Sequence, residues 1–118
     1  MSHYRISSAA RADIIDTLKH SQAQFGDQAR QRYQALILEA LQLIANAPHR
    51  IGSCQRDELA PGLRSFHLTY ARQHARHIHG PVKSPRHLEL YRVAKDEAIE
   101  VVRLLHDAME VELHVPRA

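Results

Sequence analysis

A chain of 118 residues that is 44% hydrophobic and 25% charged has the size and balance of one globular domain, expected over 1–118, and excludes a disordered or fibrous chain. Sixteen Lys and Arg against thirteen Asp and Glu leave +3, which permits a nucleic-acid partner without demanding one. Cys54 is the only cysteine, and no apolar run has the length of a signal-peptide core or a membrane span, so a reducing cytoplasm is the expected setting and no membrane is expected as a partner.

His3 to Ser7 reads as a short first strand, and the Ser7 hydroxyl is placed to cap the helix that follows, with Asp13 near its positive end. From Ser8 to Phe25, Ile14, Ile15, Leu18 and Phe25 trace a helical stripe, interrupted at Gln22 and stopped by Gly26. Asp27 is expected to cap a second helix, in which Ala29, Tyr33, Leu36, Ile37, Ala40, Leu43, Ile44 and Ala47 recur at steps of three and four until Pro48. Two amphipathic helices joined by Gly26-Asp27 must pack as an antiparallel hairpin, and their shared apolar face needs a sheet to cover it.

Residues 49–62 carry Gly and Pro among polar residues and read as an ordered connection without a regular element. Arg64 to Tyr70 alternates, with Phe66, Leu68 and Tyr70 on one face, and reads as a strand. His87–Val93 and Ile99–Leu105 are two further strands joined by the turn Lys95-Asp96-Glu97. The expected fold is α+β, in the order β-α-α-β-β-β, with a helical hairpin packed on a small, mainly antiparallel sheet. Between the second and third strands, 71–86 forms a basic, His-rich loop that is long for a hairpin.

That loop holds His74, His77 and His79, with His87 just beyond, and clustered imidazoles can share a metal such as zinc. No cysteine or carboxylate stands at ligand spacing beside them, so the plainer expectation is a solvated cationic loop, with no metal and no cofactor. Arg72, Arg76, Lys83 and Arg86 could reach phosphates by charge, but the loop has no aromatic residue to stack a base, and direct nucleic-acid binding is not expected. A metal-independent ribonuclease needs a base, an acid and a cation, of which His106 and Arg103 could supply part. The plainer alternative pairs Arg103 with a carboxylate and leaves His106 hydrogen-bonded at a strand end.

Taken in order, Tyr4-Arg5-Ile6-Ser7, Ala47-Pro48, Pro61-Gly62-Leu63-Arg64-Ser65-Phe66, Leu90-Tyr91-Arg92-Val93 and Ile99 to His106, followed by Met109 and His114, resemble the ParE toxins of the RelE/ParE type II toxin–antitoxin superfamily. The resemblance covers almost the whole chain outside 71–86, where a typical ParE hairpin is much tighter. It implies a toxin that inhibits DNA gyrase by protein binding, is no hydrolase itself, and is neutralised by a ParD-like antitoxin with an acidic C-terminal segment. The alternative is the RelE branch, whose members cut messenger RNA on the ribosome. Counterparts of two RelE nuclease side chains fall at Leu88 and Leu105, while a one-residue shift would bring in His87 and His106. Arg64, Arg92 and Arg103 are expected to meet the antitoxin, and Arg103, His106, Met109 and His114 the target.

Overall fold

The computed structural model describes residues 3–75 and 80–109. In chain order they form β1 (Tyr4–Ile6), α1 (Ser8–Phe25), α2 (Asp27–Asn46), β2 (Ser53–Gln55), β3 (Arg64–His67), a 3₁₀ turn over Leu68–Ala71, β4 (His87–Val93) and β5 (Ile99–His106). The described strands make one five-stranded sheet in the order β1-β5-β4-β3-β2, antiparallel except where β1 runs parallel to β5.

Ser7 caps α1 as its sequence position predicts, its hydroxyl accepting from the Ala10 N–H at 3.0 Å and donating to the Val102 carbonyl at 2.9 Å. The buried face of α1 is Ala10, Leu18 and Ser21, with Ile14 packed partly against it; Ile15 and Phe25 stand 46% and 75% exposed, outside the expected stripe. Gly26 turns the hairpin with φ of 92°, in the left-handed region that suits glycine. Gly26, not Asp27, is the N-cap of α2; the Asp27 carboxylate lies in the first turn and accepts from the Gln22 amide at 2.6 Å. Burying Leu36, Ile37, Leu41 and Ile44 on the other side of α2 contributes about 1.5–3 kcal/mol for each side chain.

The sheet is covered on both faces. The hairpin packs on Phe66, Tyr91, Ile99, Val101 and Leu104, while Leu63, Leu90, Val102 and Leu105 form a second cluster on the opposite face under Leu59 and Ala60. This two-sided burial explains why β3 buries the adjacent residues Ser65 and Phe66 instead of alternating.

Two expectations about the connections fail. Residues 49–62 contain a strand after all: Ser53–Gln55 pairs antiparallel with Arg64–Phe66 and forms the far edge of the sheet. The strand expected to reach Tyr70 ends at His67, where the chain turns into a 3₁₀ helix that buries Leu68 and Ala71 and leaves Tyr70 48% exposed. The Tyr70 ring then lies over Gly52, where an added Cβ would stand 2.6 Å from it. Glycine at φ of 98° is what permits this contact.

The 71–86 segment is also less detached than a solvated loop. Ala71 and Ala75 are buried, Val82 packs on the core, Pro85 is buried, and Arg72 Nε donates to the Val82 carbonyl at 2.6 Å.

Candidate functional site

The register of β4 against β5 sets His87 directly across from His106 and Leu88 across from Leu105. A bulge between Leu90 and Tyr91 separates this end from the Val93–Ile99 end. On the helix side of the sheet, His87 and His106 stand edge to face with ring centroids 5.2 Å apart, and Tyr33 of α2 stands 5.4 Å from His87.

The hydrogen bonds fix the protons of His67 and His106. The Arg86 N–H donates to the Tyr33 hydroxyl at 3.2 Å, and the hydroxyl shares a hydrogen bond with His87 Nδ1 at 2.6 Å whose direction follows the His87 tautomer. His67 Nδ1 accepts from the Thr69 N–H at 3.1 Å, so its Nε2–H donates to Asp107 at 3.0 Å. His106 Nδ1 accepts from the Ala108 N–H at 3.0 Å, which again leaves the proton on Nε2. Asp107 also receives two bonds from the Arg86 guanidinium, at 2.9 and 3.1 Å. The His67 bond, and Arg86 after it, hold Asp107 below the usual carboxylate range. Burial pushes the Tyr33 hydroxyl up to about 12, and burial together with the His106 ring pushes His87 down to about 4. At neutral pH both are uncharged.

Of these groups Tyr33, Arg86, His87 and His106 line a cavity of about 940 Å³ between the end of α1, the start of α2, the 80–86 segment and the ends of β4 and β5. Arg32, Arg72, Lys83 and Arg86 line it with His20, His87 and His106, and no carboxylate does among the described residues. Phe25, Ala29, Tyr33, Pro81 and Val82 give it apolar surface.

The arginines singled out in the sequence are not one cluster. Arg64 Nε donates to Ser53 Oγ at 2.7 Å, heading a relay in which Ser53 and the Tyr91 hydroxyl are hydrogen-bonded and Tyr91 donates to the Pro48 carbonyl at 2.6 Å. Arg92 projects from the opposite face beside Glu100, at 3.4 Å, with half its side chain exposed. Arg103 at the edge of β5 is bound bidentately by Asp13 at 2.7 and 2.9 Å, and Asp13 also accepts from the Leu104 N–H at 3.0 Å. The Asp13 hydrogen bonds raise the Arg103 pKa, so its charge is permanent. This is the plainer of the two roles the sequence left open for Arg103, and it makes Asp13 a sheet-edge partner rather than a dipole residue. Met109 is 45% exposed in the turn after β5; His114, like His77, His79 and Arg76, lies outside the described residues.

Sequence reasoning missed Tyr33, His67 and Asp107 as members of the β4–β5 end. Tyr33 fell within an apolar stripe and was read as core, and nothing local to His67 or Asp107 announces a contact 40 residues away. No group of three or more His, Cys, Asp or Glu among the described residues could hold a metal ion.

A two-helix hairpin packed on a five-stranded, mostly antiparallel sheet is a fold shared with a solved toxin–antitoxin protein. A chain of the solved chromosomal ParDE TA system from P. aeruginosa superposes with a TM-score of 0.65 over 90% of this chain and 96% of that one, at 15% identity, which is a likeness of fold. The family profile described as ParE toxin of type II toxin-antitoxin system, parDE, matches residues 4–111. The chain belongs to the ParE toxin family. No curated protein matches its sequence.

Proposed function

We propose that this ParE-family toxin acts by binding DNA gyrase, without cleaving a substrate itself, and that a ParD-like antitoxin with an acidic C-terminal segment neutralises it. The observation that carries this reading is the family match from residue 4 to residue 111, nearly the whole chain. The state of the imidazoles supports it. A ribonuclease of the RelE kind needs a lone pair open to a hydroxyl proton. At the β4–β5 end His67 and His106 each have Nδ1 taken by a backbone N–H, which puts the proton of the neutral ring on Nε2. They can donate, and a base is what the alternative requires.

One observation favours that alternative: His87 and His106 do face each other in register, as the shifted alignment with the nucleases asks. A gyrase supercoiling and cleavage assay, run beside a ribosome-programmed mRNA cleavage assay, separates the two. Gyrase-dependent DNA cleavage with intact mRNA is expected; cut mRNA with unimpaired supercoiling overturns the reading. Arg103, His106, Met109 and His114 are the proposed target contacts. Action on gyrase would place the toxin in the cytoplasm, and among the described residues no helix is long and apolar enough to cross a membrane.

For the antitoxin, Arg64, Arg92 and Arg103 remain the proposed contacts, and their separation means that the acidic segment must wrap the toxin to meet all three. Arg92 is the cleanest of them to test, because its partner Glu100 is surface-exposed and worth little to stability. Arg92→Glu should weaken antitoxin binding more than tenfold by calorimetry, and unchanged affinity removes this face from the interface. Arg103→Glu should weaken binding as well, but it also sets a carboxylate against Asp13, so its melting curve must be recorded alongside.

A further inference from the structure

We propose that the cavity between the helical hairpin and the 80–86 segment binds single-stranded nucleic acid, with phosphates held by Arg72, Lys83 and Arg86 and a base stacked on Phe25. The sequence argued against such binding because the basic loop has no ring of its own. Folding supplies the rings from elsewhere, since Phe25 from the end of α1 and Tyr33 from α2 line the same cavity as those cations. Phe25 is 75% exposed, and a free aromatic face beside cations is the combination that non-specific single-strand binders use. Lys83 has no ion-pair or hydrogen-bond partner among the described residues, while Arg86 donates to Asp107, which is not part of the lining.

Hydrogen-bond polarity selects the ligand class. The charged groups in the lining are donors, His106 contributes an Nε2–H group, and among the described residues no carboxylate lines the cavity to accept. A phosphodiester backbone brings acceptors only, whereas an acidic peptide also brings backbone N–H groups that must find acceptors. A volume of about 940 Å³ accommodates a few nucleotide units, at the upper end of the range for ligand cavities.

The test is fluorescence anisotropy of a labelled thymidine hexanucleotide with the full-length toxin. Unlabelled hexauridylate, a duplex of the same length, thymidine monophosphate and hexaglutamate serve as competitors. Three phosphate contacts give a log–log salt slope of about −2, which Lys83→Ala reduces by about 0.7. Phe25→Ala weakens binding about tenfold at unchanged salt slope. Both side chains are on the surface, and unaltered melting curves confirm that the variants fold. Competition by the single strands, with weaker effects from duplex and monophosphate, supports the proposal. Absence of binding, competition by hexaglutamate or duplex as strong as by the single strands, or no response to Phe25→Ala overturns it. Gyrase inhibition and antitoxin binding are separate measurements, so this proposal can fail while the reading of the protein as a gyrase-directed toxin stands.

Discussion

Two tyrosines tie β4 to the helices, one at each end, with similar bonds and different surroundings. Tyr91 is fully buried, and its hydroxyl joins the Arg64–Ser53 relay to the carbonyl at the end of α2. The hydrogen bond of the Tyr91 phenol ends on a backbone carbonyl, and the phenol is spent on holding the chain. Tyr33 makes an equally short bond, but to an imidazole on the wall of an open cavity, with a second imidazole, a carboxylate and an arginine next in line. The lesson is that a buried phenol hydrogen bond is neutral as to role; what lies one partner further on decides whether it is a clamp or part of a site. Between the two, Glu89 is buried on the same strand with neither carboxylate oxygen hydrogen-bonded among the described residues, and burial holds its pKa well above the usual range.

The largest expected effect breaks the inner clamp. Tyr91→Ala removes a fully buried ring and strands the Pro48 carbonyl, and should cost about 4 kcal/mol in urea unfolding. A loss under 1 kcal/mol, well below that scale, would mean that the relay carries no stability.

Second is a pH effect confined to the outer end. His87 is held near 4 in the folded state against about 6.5 unfolded, so between those values the unfolded chain binds more protons, and stability falls as pH drops through this window. The half-buried site reduces the full linkage value to about 2 kcal/mol, which His87→Gln should abolish in unfolding curves at pH 7 and pH 4.5.

Glu89→Gln should act in the opposite direction. A carboxyl whose folded pKa is raised lowers stability as pH rises above its unfolded value, so the amide variant should be about 1–2 kcal/mol more stable at pH 8 and equal to the wild type below pH 4.5. Smallest is Tyr33→Phe, expected to cost about 1 kcal/mol, because the ring stays and, of the two hydrogen bonds it deletes, the one from the Arg86 N–H is exposed to solvent. If Tyr33→Phe and Tyr91→Phe prove equally costly, the contrast between clamp and site disappears.

Periodicity made both helices and the Ser7 cap legible, and runs of β-branched and aromatic residues around a polar turn did the same for β4 and β5, almost to the residue. It misled where burial is two-sided or local. β2 is three residues of mixed polarity whose strand character comes from pairing with Arg64–Phe66, which no local pattern records. The Arg64–Tyr70 alternation was real, but a 3₁₀ turn buries Leu68 without continuing the ladder. At the candidate site, His87 and His106 could be named from sequence; their contact with Tyr33 and the loop of contacts through Asp107 depends on register and on hairpin packing. Phe25 was assigned to the core because hydrophobic residues at helical spacing normally belong there, and its exposure is the departure that matters for the cavity.

The order of the strands has a consequence for the isolated chain. The seven- and eight-residue strands β4 and β5 lie inside the sheet, the outermost strands β1 and β2 are three residues each, and beyond β1 the Asp13 carboxylate already occupies the Leu104 N–H. A neighbouring copy therefore finds little ladder to zip onto, and resistance to edge-to-edge aggregation follows from where the short strands sit, not from a net charge of only +3.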